Sequence, residues 1–477
     1  MSDVLELARA ALARRRAWLV GGAVRDRALG RAAPDDLDVV IDGDPGQAAR
    51  ALTQAARDAG RQVACFALSR EFGGWRVVAP RDGWQVDFEP LRGGSLEADL
   101  LLRDFTVNAI AEPIVGGVTI DPLGGMEDLA VRRLRAAGPA AFLDDPLRVL
   151  RLVRIALELG FTPDRTTLKL ACAAAGELRG VAAERAFAEL ARIVDCEEAV
   201  RGLSLLSEIG AMAAVLPELE ALKGVEQSRF HHLDVHGHTI EVLEHAIALQ
   251  RDPGAVAGVA GDALERLLSE PLADGLTRGS ALRWGALLHD IAKPATREVR
   301  TDGRVTFIGH DAEGAQLAGT ILRRLRASER LRSHISALVR HHLRLGFLVH
   351  EPQPLVRRTV FSYLDLTQPV EVDVTLLSIA DRLATRGDRA VESIDKHMAL
   401  ARAVLPDALH WRAEGAPQPL LRGDALAKEL GIERGPLLGA LLRALAEAQY
   451  AGEVSSVQEA IVHARERLAQ AAELSTQ

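Results

Sequence analysis

Leu19-Val20-Gly21-Gly22-Ala23-Val24-Arg25-Asp26, followed by Asp35-Asp36-Leu37-Asp38-Val39-Val40-Ile41, is the stretch on which both fold and chemistry turn. The apolar runs at 18–20 and 37–41 read as short strands, and a helix is expected to begin near Ala23, directly after the glycine pair. Asp36 and Asp38 stand two apart on the second strand, so both side chains leave one face, roughly 6 to 7 Å apart. That spacing suits a pair of Mg²⁺ ions, which take oxygen ligands and share them with substrate phosphates. A third carboxylate completes such a site. Asp87, in Val86-Asp87-Phe88 on a neighbouring strand, is expected to supply it, with Glu89 as the alternative. Gly21 and Gly22 place free backbone N–H groups where a triphosphate could rest, and Arg25 adds positive charge there. A lone Asp-x-Asp is more often a turn or a cap; the ordered combination of strand, glycine pair, Arg-Asp and Asp-x-Asp is much rarer.

Outward from this core, β-rich runs at 62–68, 75–79, 84–88 and 118–120 alternate with a helical stretch at 46–59, which predicts an α+β head. From about Asp144 the pattern changes to Leu, Ala, Arg and Glu at helical spacing, so the remainder is expected to be almost all helix. Helix stops are expected at 160–164 and 202–217, a loop at 269–278 and a short extended excursion at 303–309.

The chain has 477 residues, more than one hydrophobic core accommodates, and 48% hydrophobic with 26% charged residues is ordinary for a soluble globular protein. No uninterrupted apolar run reaches membrane-spanning length, and residues 1–10 lack a secretory signal pattern, so a cytoplasmic protein with no membrane partner is expected. Cys65, Cys172 and Cys196 have no CxxC partner. They support neither disulfides nor a cysteine zinc site and read as small core residues. A net charge of −8 excludes broad electrostatic attraction to nucleic acid. RNA contact is then confined to a local basic surface, for which Arg132, Arg133, Arg135, Arg148, Arg151 and Arg154 are candidates. With 4% aromatic residues, RNA would be held by shape and backbone contacts rather than by stacked bases.

LVGGAVRD with DDLDVV, LRDFTVNAIA at 102–111, IDPLGGMEDL at 120–129 and DDPLRVLRLVRIALELGF at 144–161 together resemble the class II tRNA nucleotidyltransferases and their bacterial poly(A) polymerase relatives. The resemblance covers about the first 200 residues and implies a polymerase-β-type head followed by an all-α neck and body. It implies that Asp104 recognises the ribose, that Arg103 and Asn108 help hold the nucleotide, and that Asp145 and Arg148 read the Watson–Crick edge of CTP or ATP. An Arg only donates hydrogen bonds and an ionised Asp only accepts them, so the pair can stand in for a template base. Taken alone, Asp145 before Pro146 reads as a helix N-cap. Arg151 and Arg154 continue on that helix, where they could touch phosphates or pair on the surface. The implied partners are the tRNA 3′ end, CTP and ATP, with no DNA.

Two departures stand out. Many relatives carry a second Arg where this chain has Leu102. The link after Asp87, containing Arg92, Gly93 and Gly94, is short where many relatives have a longer flexible loop, one associated in the family with switching from C to A addition. The resemblance thus implies CMP addition with the terminal AMP left open, and the short link points to the two cytidines only, with a partner enzyme adding A.

A second constellation begins at RWGALLHDIAKP, residues 283–294, where His289 and Asp290 close an apolar helical run. An adjacent His and Asp can both ligate one cation. With His238 and Asp381 they resemble the ligand order of HD-domain phosphohydrolases, in which His310 and His341 would take phosphate or a second metal. Ala292 replaces the Gly of the common HDIGK pattern. The implied HD centre holds Mg²⁺, Mn²⁺ or Ni²⁺ and acts on nucleotides or cyclic phosphates through metal-bound water. The expected division is a head at 1–140, a neck and body at 141–226, an HD domain at 227–400 and a helical tail at 401–477. Two rival readings are a poly(A) polymerase and an HD phosphohydrolase with a nucleotide-sensing head; the intact Asp36, Asp38, Asp104, Asp145 and Arg148 weigh against the latter.

Overall fold

The computed structural model describes residues 3–31, 35–68, 73–257, 260–388 and 390–474. It divides into two compact units, Met1–Val215 and Leu216–Gln477. The first unit opens with α1 (Asp3–Leu12), β1 (Ala17–Val20), α2 (Gly22–Ala28), β2 (Asp36–Ile41), α3 (Pro45–Asp58), β3 (Ala64–Ala67), β4 (Trp75–Ala79) and β5 (Trp84–Pro90). It continues with α4 (Leu96–Leu101), β6 (Ala111–Pro113), α5 (Gly125–Ala130), α6 (Ala141–Asp144), α7 (Arg148–Leu159), α8 (Arg165–Ala174), α9 (Ala183–Asp195) and α10 (Ala199–Glu208). The α+β head and the helical remainder of this unit follow the pattern expected from the sequence.

The six strands form one mixed sheet in the order β3-β4-β5-β2-β1-β6. Its decisive pairing is β2 with β5, which run parallel with Asp36 opposite Gln85 and Asp38 opposite Asp87. Period-two alternation explains how β2 serves both core and site. Leu37, Val39 and Ile41 are buried on one face. On the other, Val40 is sealed under Trp18, Val20, Leu96, Leu100 and Ala109, while Asp36 and Asp38 lie beyond that apolar cover. Helix α3 starts cleanly because Asp44 caps the N–H groups of Gly46 and Gln47 and Pro45 occupies the first turn.

Two local expectations are corrected. The strand expected at 118–120 lies instead at β6; only Ile120 bridges to Ala111, and Val118 is 85% exposed. The helix stop expected within 202–217 falls at Ile209–Gly210, where α10 ends with Gly210 at φ 76°, while Gly202 itself lies inside α10. A Cβ there would sit 2.6 Å from Leu157 Cδ1 and 3.0 Å from Ile193 Cγ2, so the glycine lets α10 close onto α7 and α9. The cysteines are not core residues, since Cys172 is exposed and Cys65 and Cys196 are half-buried. The break at 160–164 is real, with Gly160 in the left-handed region at φ 67° ending α7. Gly125, in the IDPLGGMEDL stretch, presses its backbone onto the Thr106 carbonyl, where any Cβ would clash.

The second unit is mostly helical. The helices Val235–Arg251, Arg278–Leu288, His310–Arg324, Glu329–His341 and Glu371–Ala384 carry or flank its histidines. The stretch expected to be a loop at 269–278 contains a small antiparallel hairpin, Pro271–Ala273 with Leu276–Thr277. The extended excursion is the ribbon Glu298–Val299 with Val305–Thr306. The last helices, Gly423–Leu430, Pro436–Ala451 and Val457–Leu474, share a core of Leu426, Leu438, Leu441 and Leu445. Among the described residues, no helix is long and apolar enough to cross a membrane.

Candidate active site

The head site is built on the diglycine turn. Gly21 has φ 70°, and a Cβ there would meet Asp38 Oδ2 at 2.9 Å. Glycine is therefore needed twice, for the left-handed backbone and for the approach of the carboxylate. Burial, partly offset by Arg103 and reinforced by Glu89, Asp87 and Asp36, pushes the Asp38 carboxyl up to about 6. Asp36 is exposed and accepts from Gln85 Nε2 at 2.7 Å. The expected third carboxylate behaves differently: both Asp87 oxygens are held by Arg76, at 2.6 and 2.7 Å, because Arg76 on β4 is its cross-strand partner. Glu89, the alternative, lines a cavity of about 270 Å³ together with Asp38, Arg92, Arg103, Asp104, Asp145, Arg148, Arg151 and Arg185. A desolvated carboxylate among acidic neighbours calls for positive charge, so the donor set at Asp36 and Asp38 fits a divalent cation.

Asp104 is buried and densely bonded. Oδ1 accepts from the Phe105 N–H at 2.8 Å and Asn108 Nδ2 at 3.0 Å; Oδ2 accepts from Arg151 Nε and Nη2 at 3.0 and 2.6 Å. Burial would raise this carboxyl, but Arg151, Asn108 and the Phe105 amide bring it down to about 2. Its lone-pair positions are all taken. A ribose hydroxyl could therefore reach Asp104 only as one of these partners yields, and Arg151, 35% exposed at its side chain, is the most open of them. Arg25, expected to face phosphates, is clamped by Asp26 at 2.8 and 3.0 Å and donates to Asn108 Oδ1 at 2.8 Å. It orients Asn108 rather than standing free.

Asp145 and Arg148 are brought to the same cavity but do not pair with each other. Asp145 Oδ1 accepts from the Leu147 N–H at 3.2 Å, a local cap, and Oδ2 accepts from Arg185 Nη2 at 2.7 Å. Arg148 is held by the carbonyls of Leu102, Arg103 and Ala141 at 2.8 to 3.2 Å. Each residue is thus fixed by a partner other than its neighbour, leaving one acceptor group and one donor group on the cavity wall. Arg154 is buried against Glu189 and Glu158, so it is not a free phosphate contact. Arg133 and Arg135 likewise pair with the buried Asp128. Sequence reasoning missed Arg185 and Glu189, whose spacing along α9 puts both on the face turned towards α7.

In the second unit, His238, His289, Asp290, His310 and Asp381 come together as expected. His238 Nε2 lies 3.1 Å from Asp381 Oδ1 and 3.6 Å from Asp290 Oδ2; His289 Nε2 lies 3.1 Å from Asp290 Oδ2 and His310 Nε2 lies 3.3 Å from Asp290 Oδ1. The sixth member is His342, 3.9 Å from Asp290 Oδ1, and not His341. Successive residues at a helix end point about 100° apart, and it is His342 that turns inward, fully buried, while His341 is half-buried outside the group.

Nδ1 of His289, His310 and His342 bonds to the carbonyls of Ala286, Phe307 and Val339 at 2.6 to 2.8 Å. Carbonyls only accept, so these bonds put a proton on Nδ1 and aim Nε2 at Asp290. The buried Nε2 atoms of His238, His289 and His310 have no well-formed hydrogen bond. His238, His289 and Asp290 form one group able to hold a metal, and Asp290, His310 and His342 a second, so Asp290 would bridge them. Lys293, 2.6 Å from Asp290 Oδ2, was not anticipated.

Comparison with known proteins agrees with this architecture. Residues 17–135 match the poly A polymerase head domain, 160–223 the probable RNA and SrmB-binding site of polymerase A, and 235–386 the HD domain. An A-adding tRNA nucleotidyltransferase of Deinococcus radiodurans is 38% identical over 451 residues, 93% of this chain and 94% of the relative. A CC-adding tRNA nucleotidyltransferase of Thermus thermophilus is 34% identical, covering 93% of this chain and 92% of the relative. Among solved structures, a Thermotoga maritima CCA-adding enzyme complexed with tRNA aligns with TM-score 0.62 at 19% identity, over 98% of this chain and 94% of that one. A poly(A) polymerase-type head joined to helical segments is the class these features define. The chain belongs to the tRNA nucleotidyltransferase family.

The histidine geometry makes a specific expectation. His342→Ala should lower the metal bound per purified chain, measured by elemental analysis, whereas His341→Ala should leave it at the wild-type value; equal loss from both would contradict the assignment.

Proposed function

We propose that this chain adds CMP to the 3′ end of tRNA without a nucleic-acid template. The observation that carries the reading is the gathering of Asp38, Asp104, Asp145 and Arg148 around one cavity. Asp145 accepts from the exocyclic amine of the incoming base and Arg148 donates to its ring nitrogen, a pattern that cytosine and adenine share. Asp104 and Asn108 hold the ribose once Arg151 yields. Asp36 and Asp38 would hold Mg²⁺, which when bound steadies the triphosphate and favours attack by the primer hydroxyl. That hydroxyl gives up its proton to solvent as its oxygen bonds to the α-phosphorus, and the bond from the α-phosphorus to pyrophosphate breaks, with pyrophosphate leaving.

Restriction to cytidine rests on the five residues 91–95 between β5 and α4, too few for a mobile loop. The 38% identity to an A-adding relative favours a second reading, addition of the terminal A alone. In the HD unit, His238, His289, Asp290 and Asp381, with His310 and His342, would hold Mg²⁺, Mn²⁺ or Ni²⁺ for hydrolysis of phosphate esters. Lys293, 2.6 Å from Asp290 Oδ2, would meet a phosphate oxygen there.

Product length decides the main reading. With tRNA ending before CCA, CTP and ATP, the wild type should extend by two cytidines and Asp36→Ala by none. Extension only of tRNA already ending in CC selects A addition, and long A tails select a poly(A) polymerase. Because the Asp38 carboxyl sits at about 6, protons compete with the cation below that pH and not well above it. The Mg²⁺ concentration for half-maximal extension should therefore rise as pH falls from 8 through 6; a flat requirement would argue against Asp38 as a ligand. Hydrolysis of 2′,3′-cyclic nucleotides should disappear in Asp290→Asn while tRNA extension persists.

A further inference from the structure

Asp99 was not singled out by the sequence, yet it is fully buried beside the site and organises two arginines. Its Oδ1 accepts from Arg92 Nε at 2.9 Å and from the Arg92 N–H at 3.3 Å, and its Oδ2 accepts from Arg103 Nη2 at 3.3 Å. One carboxylate thus fixes two guanidinium groups. The Arg103 side chain is packed deep, 11% exposed, against the diglycine turn and Glu89. The Arg92 side chain is 41% exposed. It lines the nucleotide cavity with Asp38 and Asp104, and also an adjoining groove of about 800 Å³ with Leu102, Asp145 and Arg148.

The link that presents Arg92 is held tightly. Gly93 has φ 69°, and a Cβ there would fall 2.7 Å from the Cβ of Ala98 on α4. Ser95 caps α4 through the Ala98 N–H. A short, close-packed turn with its arginine anchored through Nε is suited to presenting the remaining N–H donors in a fixed direction, which is how guanidinium recognises phosphate oxygens. At the same wall Leu102, 40% exposed, offers no donor.

We propose that Arg92 binds a phosphate oxyanion at the junction of cavity and groove during nucleotidyl transfer. The proposal rests on the polymerising function above. The oxyanion belongs either to the incoming triphosphate or to the phosphodiester at the RNA 3′ end. The shortened link is then a device that delivers this charge, not merely a lost loop.

Steady-state extension of tRNA with CTP tests it, using the full chain. In Arg92→Ala the KM for one substrate should rise about tenfold, the order expected for one lost charge-assisted hydrogen bond. A rise for CTP assigns the triphosphate and a rise for tRNA assigns the RNA end. Arg92→Lys should recover part of the loss. Adding Leu102→Arg to Arg92→Ala should also recover part, because position 102 faces the same groove. Thermal melting controls for the disturbed Asp99: if melting falls and neither Arg92→Lys nor the double variant restores KM at a temperature where the protein is folded, Arg92 is structural and the proposal fails. It fails equally if both KM values stay within twofold of wild type. An inert wild type would instead sink the polymerising function itself, so the two failures are distinguishable.

Discussion

Acidic side chains crowded at the end of a parallel strand pair set the terms for the whole head. The β2–β5 register places Asp36 and Asp38 beside Gln85 and Asp87, with Glu89 two residues further on. In a partly desolvated setting, like charges this close raise one another's cost of ionisation. The fold answers locally wherever it can: Arg76 takes Asp87 and Arg103 leans over Asp38. What stays uncompensated is concentrated at Asp38 beneath the Gly21 turn, and on the proposed reading a divalent cation there would supply the missing positive charge.

The fold was legible wherever periodicity was unopposed. Alternation in β2 and β5 and the helical spacing after Asp144 located the main elements, because burying one face leaves little freedom in either. Legibility failed where small residues carried two meanings. The glycines at 202 and 210 look alike in the sequence, but Gly210 ends the helix and Gly202 serves as a contact surface between helices. Residues 118–120 are β-rich in composition, but the edge of the sheet was taken by 111–113, where Ala109 and Ala111 pack into the buried cluster with Trp18. The site was legible as a list of acids and bases and illegible as a wiring diagram. That Asp87 belongs to Arg76, or Asp145 to Arg185, depends on strand register and helix packing that no local pattern encodes.

The histidine centre shows the same division. Five of its six residues follow from order along the chain, but choosing between His341 and His342 requires the rotation of one helix end relative to the others. Once that is set, backbone carbonyls fix the tautomers. Burial pushes His342 down to about 4, so it stays neutral around pH 7, and neutral imidazole is the form that ligates metal. The packing that buries the ring also prepares its chemistry.

Between turn and helices runs a continuous line of hydrogen bonds and ion pairs. It passes from Asp26 through Arg25, Asn108, Asp104 and Arg151 to Glu189, then through Arg154 and Glu158 to Arg192. Signs alternate along most of it, and several members are buried, so removing a buried inner member such as Arg151 strips a neighbour, here Asp104, of its ionic partner; in buried pairs that costs about 3 to 5 kcal/mol. Such a line adds little net stability over an apolar replacement, and its value is in placement. It holds Asp104 and, through α9, the Asp145–Arg185 pair at fixed separation. On the proposed reading, a base is recognised by one acceptor and one donor only if their spacing does not drift, and side chains lack the stacked backbone that keeps a nucleic-acid template rigid. The ionic line would then serve as part of that missing frame.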